Sequence, residues 1–155
     1  MTGIGKTRRY PIRCIDCGAK EVRPVTIRKE VAKNHDGRNY NLVIDELPVT
    51  QCQSCNSVFF TDQTDSRIDA ALRTHLRLLT PEQIRANLAA LSLSQKEAAE
   101  KLGIAPETLS RWLNGAMIQS RAMDNLLRMF FACPEAREKL LGQQSDAQLG
   151  VTVQL

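Results

Sequence analysis

Two Cys-x-x-Cys hooks, Cys14-Ile15-Asp16-Cys17 and Cys52-Gln53-Ser54-Cys55, constrain this chain more than any other feature. Together they supply four thiolates, the ligand set of one closed tetrahedral metal site. Gly18 follows the first hook and Asn56 the second. Both residue types tolerate left-handed backbone angles, which a chain needs when it turns tightly beneath a metal. The stretch from Gly18 to Gln51 is long enough for a β-excursion that leaves the metal and returns. The spacing predicts one structural Zn²⁺ per chain, held by Cys14, Cys17, Cys52 and Cys55.

Three other uses compete for these cysteines. Paired disulfides belong to oxidising compartments. Met1–Arg9 is polar and basic, without the apolar core of a secretory leader. A cytoplasmic location with reduced thiols is therefore expected. A thioredoxin-like redox site uses a single hook in a βαβ setting, which does not fit. Rubredoxin-like iron takes the same four thiolates, so metal analysis decides between iron and zinc. Zinc is the expectation because nothing in the sequence points to an electron-transfer partner.

The chain has 155 residues, room for one ordinary domain or two small ones. No apolar run reaches the ~18 residues of a membrane-spanning helix, so no membrane association is expected. The net charge of +4 is uneven. The Lys and Arg surplus lies within residues 1–79, and residues 80–155 are balanced. Such mild basicity permits nucleic-acid binding without arguing for it.

The two halves carry different periods, which predicts an α+β protein of two domains. In the first, Val25, Ile27 and Val31 sit at odd positions, and Tyr40, Leu42 and Ile44 share one face of a second run. Asn34-His35-Asp36-Gly37 between them suits a hairpin turn. Pro24 is expected near a strand end, where a missing donor is harmless. Val58-Phe59-Phe60 is expected to pack under the metal. A helix is predicted over 65–79, with Ile68, Ala71, Leu72, His75, Leu76 and Leu79 in one stripe and Arg67, Arg73 and Arg77 off it. His75 is expected to be partly buried and hydrogen-bonded. His35 is expected in solvent, although it is a conceivable fifth ligand.

Thr80-Pro81-x-Gln83 then reads as a capping box and marks a domain boundary. The division is 1–79 for the zinc-binding domain, 80–141 for an all-α domain of five helices and 142–155 for a loose tail. Ile84, Leu88 and Leu91 are expected inward on the first of these helices. Ser94-x-x-Glu97 is a second capping box, opening a helix with Ala98, Ala99 and Leu102 inward. Gly103 ends it. Pro106 opens the next, with Leu109, Trp112 and Leu113 apolar, and Asn114-Gly115 closes it. Ser120 is expected to cap a helix with Leu126, Leu127 and Phe130 inward. Cys133, a small buried hydrophobe by expectation, and Pro134 end that helix and start a short one to Leu141.

Two short helices joined by a tight turn containing Gly form the helix-turn-helix pattern. Its second helix places N-terminal residues at base edges in the major groove. With Leu109 and Trp112 turned under, Glu107, Thr108, Ser110, Arg111 and Asn114 face outward. Arg111 has the donors to bind guanine O6 and N7 together. Gln95 and Lys96, at a helix N-terminus, are placed to clamp a phosphate. The expected partner is double-stranded DNA, with dimerisation compensating for the weak net charge.

Up to about Leu141 the chain resembles the MqsA-type antitoxins, proteins with a YgiT-type zinc finger and an Xre-like helix-turn-helix. The resemblance rests on the two hooks and on Leu91-Ser92-Leu93-Ser94-Gln95-Lys96-Glu97-Ala98. Further matches are Leu109-Ser110-Arg111-Trp112, Asn114-Gly115, Leu126-Leu127-Arg128 and Pro134-Glu135. The pairing of zinc domain with helix-turn-helix is more specific than either part. It implies a homodimer on an inverted-repeat operator and a zinc domain that meets a cognate toxin, commonly an RNA-cleaving one. In the family an Asn and an Arg of the recognition helix read bases. The Arg falls on Arg111, but the Asn position holds Glu107, which can accept from cytosine N4 and cannot make the paired contact to adenine. The operator should differ accordingly. Ala105 stands where many relatives carry a better N-cap.

The functional reading is a type II antitoxin that neutralises a toxin and autorepresses its operon. The alternative is a stand-alone zinc-containing regulator without a toxin. A third reading is a pure interaction protein whose zinc domain binds RNA or a nuclease. No enzyme is expected: there is no nucleophile–base pair, and a closed four-thiolate site leaves no open metal position. Gly3-Ile4-Gly5-Lys6-Thr7 lacks the spacing of a phosphate-binding loop. The basic start Lys6-Thr7-Arg8-Arg9 is read as a solvated tail.

Overall fold

The computed structural model describes residues 9–140. The basic start before Arg9, the tail 142–155 and Leu141 lie outside them. The chain divides into two compact units between His75 and Leu76.

The first unit is a three-stranded antiparallel sheet in the order β1-β2-β3, followed by helix α1. β1 (Val22–His35) and β2 (Arg38–Cys52) form one long hairpin. Asp36 and Gly37 both take positive φ, 50° and 70°, which is the two-residue turn an Asp-Gly step favours. Pro24 is the third residue of β1, near the strand end as expected. β3 (Val58–Phe59) returns along β2.

The hairpin carries a bulge that the pattern analysis did not anticipate. Ile27 faces Leu47, but Lys29 faces Ile44, so β2 holds an extra residue there. Leu42 and Ile44 before the bulge and Leu47 and Val49 after it are buried. The change of parity keeps all four on one face, because side chains alternate with a period of two.

Helix α1 spans Asp62–Leu76, three residues earlier at both ends than the sequence suggested. Thr61 and Thr64 explain the start. The Thr61 N–H donates to Thr64 Oγ1 at 2.9 Å, the Thr64 N–H to Thr61 Oγ1 at 3.4 Å, and buried Thr64 donates to Pro48 O at 2.6 Å. Arg77, at φ 52°, stops the helix, so Leu79 leaves the stripe and enters the second unit's core. Ile68 and Leu72 are buried as expected, but so is Arg73. His75 is exposed, its ring edge-on to Tyr40 with centroids 5.9 Å apart. His35 is not a solvated loop residue: it ends β1, with its side chain only 12% exposed. Lys33 pairs with Asp69 of α1 at 2.8 Å.

The described residues of the second unit form five helices: α2 (Pro81–Ala90), α3 (Gln95–Leu102), α4 (Pro106–Leu113), α5 (Arg121–Ala132) and α6 (Pro134–Lys139). Both capping boxes form, Thr80 with Gln83 and Ser94 with Glu97. Gly103 takes φ 67°, which closes α3 and starts the turn into α4. Ala105 gives α4 no side-chain cap, and Ser120 caps α5. The core joins Ile84, Leu88, Ala98, Ala99, Leu102, Leu109, Trp112, Leu127 and Phe130 with Leu79. Leu91, Leu113 and Leu126 only partly enter it. Cys133 is half-buried rather than buried, and its Sγ lies 3.1 Å from Glu135 Oε2 at the start of α6.

Candidate metal centre and nucleic-acid interface

The two hooks fold as near-copies of one knuckle. In the first, Gly18 N–H donates to Cys14 O at 3.0 Å and Cys14 N–H to Ala19 O at 2.7 Å. In the second, Asn56 N–H donates to Cys52 O at 2.9 Å and Cys52 N–H to Ser57 O at 3.0 Å. Gly18 and Asn56 take φ 78° and 60°, the left-handed angles the turn requires. β1 and β2 bring the knuckles together through the Val22–Cys52 pairing. Cys14 and Cys52 are buried against Val22, Ile12 and Phe59, while Cys17 and Cys55 face solvent.

All four sulfurs lie within 4.8 Å of one another, with Cys14–Cys55 and Cys17–Cys52 at 3.6 Å. Sulfurs ~2.3 Å from a central ion would be spaced by about 3.8 Å in a tetrahedron, so the set fits one metal ion. The spacing far exceeds the ~2.05 Å of a disulfide. The Ser57 hydroxyl and backbone stabilise the Cys55 thiolate and lower that thiol to about 6. At Cys17 the Ala19 backbone favours the thiolate, but proton sharing with Cys55, burial, and the Cys52 and Cys14 sulfurs push it up to about 12. Binding a cation would displace the protons of whichever thiols are not yet thiolates. Among the described residues this is the sole group of metal-ligating type, and His35 is not part of it.

On the second unit, α3 and α4 are joined by Gly103-Ile104-Ala105. Leu109 and Trp112 of α4 are buried, which fixes the opposite side outward. Glu107, Arg111 and Asn114 are exposed there, and Thr108 and Ser110 are half-buried. Gln95 and Lys96 are exposed at the start of α3. Two of these side chains also serve the fold. Gln95 Nε2 donates to Pro106 O at 3.1 Å, and Asn114 Oδ1 accepts the Ala116 N–H at 2.9 Å. The Ser94 hydroxyl and N–H hold the Glu97 carboxyl below the ordinary carboxylate range, so the box that opens α3 is charged at neutral pH.

Residues 84–131 match the family model described as helix-turn-helix. These residues form a helix-turn-helix DNA-binding domain. The match runs from the fourth residue of α2 nearly to the end of α5 and does not extend over the cysteine hooks. No curated protein matches the chain. The helix-turn-helix domain points to a DNA-binding regulator, and the four clustered sulfurs could hold a metal ion. No helix among the described residues is long and apolar enough to cross a membrane.

Sequence reasoning missed the polar residues that brace this domain. Asp124 is fully buried and accepts from Leu79 N–H at 2.7 Å, Gln119 Nε2 at 3.1 Å and Arg128 Nε at 2.7 Å. Gln119, also buried, donates to Leu79 O at 2.7 Å. Arg128 reaches Arg77 O at 2.7 Å. The available signal was positional: Asp124 lies three residues before Leu127, on the stripe that faces the core.

Proposed function

We propose that this protein is a homodimeric, zinc-dependent repressor that acts as the antitoxin of a type II toxin–antitoxin pair. What carries the reading is the coupling, on one chain, of a four-sulfur knuckle cluster to a helix-turn-helix domain. The MqsA-type antitoxins, which the sequence resembles, couple the same two parts. In this reading Cys14, Cys17, Cys52 and Cys55 hold Zn²⁺ as a structural ion. Arg111 reads a guanine, and Glu107 accepts from a cytosine. Lys96 neutralises a phosphate. The dimer spans an inverted repeat in its own operon, and the zinc-binding domain, residues 1–79, neutralises a ribonuclease toxin. No catalysis is assigned, because four thiolates leave a metal without an open position. The protein acts in the cytoplasm, where thiols stay reduced.

The test is co-expression with the product of the neighbouring gene, followed by capture, growth assay and footprinting. A captured ribonuclease that this chain silences, with protection over an inverted repeat, is the expected result. Protection of a repeat without any toxin would leave a stand-alone regulator. Elemental analysis of protein purified without added metal should find one zinc per chain, and iron there would overturn the zinc assignment.

A further inference from the structure

Helix α4 is short and starts without a side-chain cap, yet it is braced at both ends by the two helices before it. At its start Gln95 of α3 donates to Pro106 O at 3.1 Å. At its end the Arg85 guanidinium of α2 donates to Leu113 O, the last carbonyl of the helix. Arg85 also lies 3.5 Å from Glu82, one turn earlier on α2. The last four carbonyls of a helix have no partner within it, and a cation there is favoured by the helix dipole.

We propose that Arg85 is a positioning residue for DNA readout: by holding Leu113 O it sets the final turn of α4, from which Arg111 projects. This rests on the reading that α4 enters the major groove. The local bonding supports the coupling. Met117 N–H returns to Arg111 O at 3.2 Å, Asn114 N–H to Ser110 O at 3.0 Å and Gly115 N–H to Trp112 O at 3.3 Å. The carbonyl that Arg85 holds therefore sits inside the same terminal turn as Arg111. A guanidinium turned to its own fold reads no base, but it limits the angles from which Arg111 can approach one. Such a residue affects the difference between right and wrong sequences rather than the attraction to phosphate.

The experiment uses the full, metal-loaded chain and its Arg85→Met and Arg85→Lys variants. Met keeps the packing of the stem and removes the donors, and Lys restores a cation. If the Met variant fails to fold, Arg85→Gln replaces it. Amide hydrogen exchange is measured without DNA at Asn114, Gly115 and Met117, with Leu127 and Phe130 as internal references. Binding is measured to a duplex selected by the wild-type chain from a random pool and to a scrambled duplex, across a salt series. Arg85→Met should speed exchange at the three amides about 2- to 5-fold, with the references unchanged. It should lower the selected-to-scrambled affinity ratio by a similar factor, with an unchanged salt slope. Arg85→Lys should recover part of both effects.

Unchanged exchange would overturn the brace. Equal weakening on both duplexes with a shallower salt slope would make Arg85 a phosphate contact instead. A wild-type chain that selects no sequence would overturn the DNA reading and Arg85's part in it, while the exchange measurement still decides whether the brace exists.

Discussion

Arg111 and Lys96 stand exposed on neighbouring helices and differ in what each can offer a duplex. A guanidinium makes two parallel bonds to one base edge, whereas an ammonium at a helix start meets phosphate as a point charge. Arg111→Ala should cost ~1–3 kcal/mol at one position of each half-site and relax the preference there. Lys96→Ala should weaken all sequences alike and lower the salt slope by about one. Titrations against single-base variants of the selected duplex, repeated at several salt concentrations, separate the two. Identical behaviour of both mutants would mean that α4 is misplaced. Asp124 is a fully buried carboxylate whose desolvation is offset by the donors around it. Removing it would strand the buried Leu79 N–H and leave the Gln119 amide with its bond to Leu79 O alone. Asp124→Ala should therefore destabilise the helical unit by about 1–3 kcal/mol in urea, and an unchanged midpoint would contradict that. The outward residues of α4 were legible in the sequence because two large apolar neighbours, Leu109 and Trp112, leave little choice of face. Asp124 was not, because a carboxylate on an apolar stripe gives no sign of the three donors that converge on it.

At the scale of elements, capping chemistry was the most readable signal. Thr80, Ser94, Gly103 and Ser120 all act where their residue types suggested, since each satisfies end groups that a helix cannot. Periodicity was less reliable at the ends. The spacing from Ile68 to Leu79 continues a helical stripe across Arg77, where the backbone has already turned left-handed. The β2 bulge was hidden for a related reason: Leu42, Ile44, Leu47 and Val49 alternate in two phases, and only strand pairing shows that one face holds them all. The Ser94–Glu97 box allows a test with a definite sign. Ser94→Ala should cost about 0.5–2 kcal/mol at neutral pH. Glu97 titrates below its ordinary value in the folded chain. Its contribution is therefore present above the unfolded carboxyl value of ~4.3 and is lost as pH falls through the lower folded value. The gap in stability between wild type and Ser94→Ala should narrow when the same denaturation is run near pH 3. A gap that widens in acid would reverse the sign and exclude this account.

Over the whole molecule, the two units answer to different sources of stability. The helical unit has a continuous apolar core running from Leu79 to Phe130 and contains none of the four clustered cysteines. The metal end of the hairpin has only Cys14, Val22 and Cys52 fully buried, with Ile12 and Phe59 beside them. So little apolar area barely offsets the ~1.5 kcal/mol lost on ordering each residue. A structural zinc supplies on the order of 10–16 kcal/mol, enough to decide whether the knuckles and the base of the hairpin hold together. Chelation, or Cys17→Ala, should therefore unfold the knuckles and the base of the hairpin and weaken the β-sheet signal, while the helix-turn-helix domain keeps its helicity and its cooperative melt. Far-UV dichroism and amide spectra of the same chelated sample would report both halves. An unweakened sheet signal would show that the metal is dispensable to the fold, and simultaneous loss of the helices would show that the second core does not stand alone. The functional consequence follows the same division. On the proposed function, a chelated chain should still protect the inverted repeat in a footprint while it no longer captures the toxin, because Lys96, Glu107 and Arg111 all lie within the helical unit.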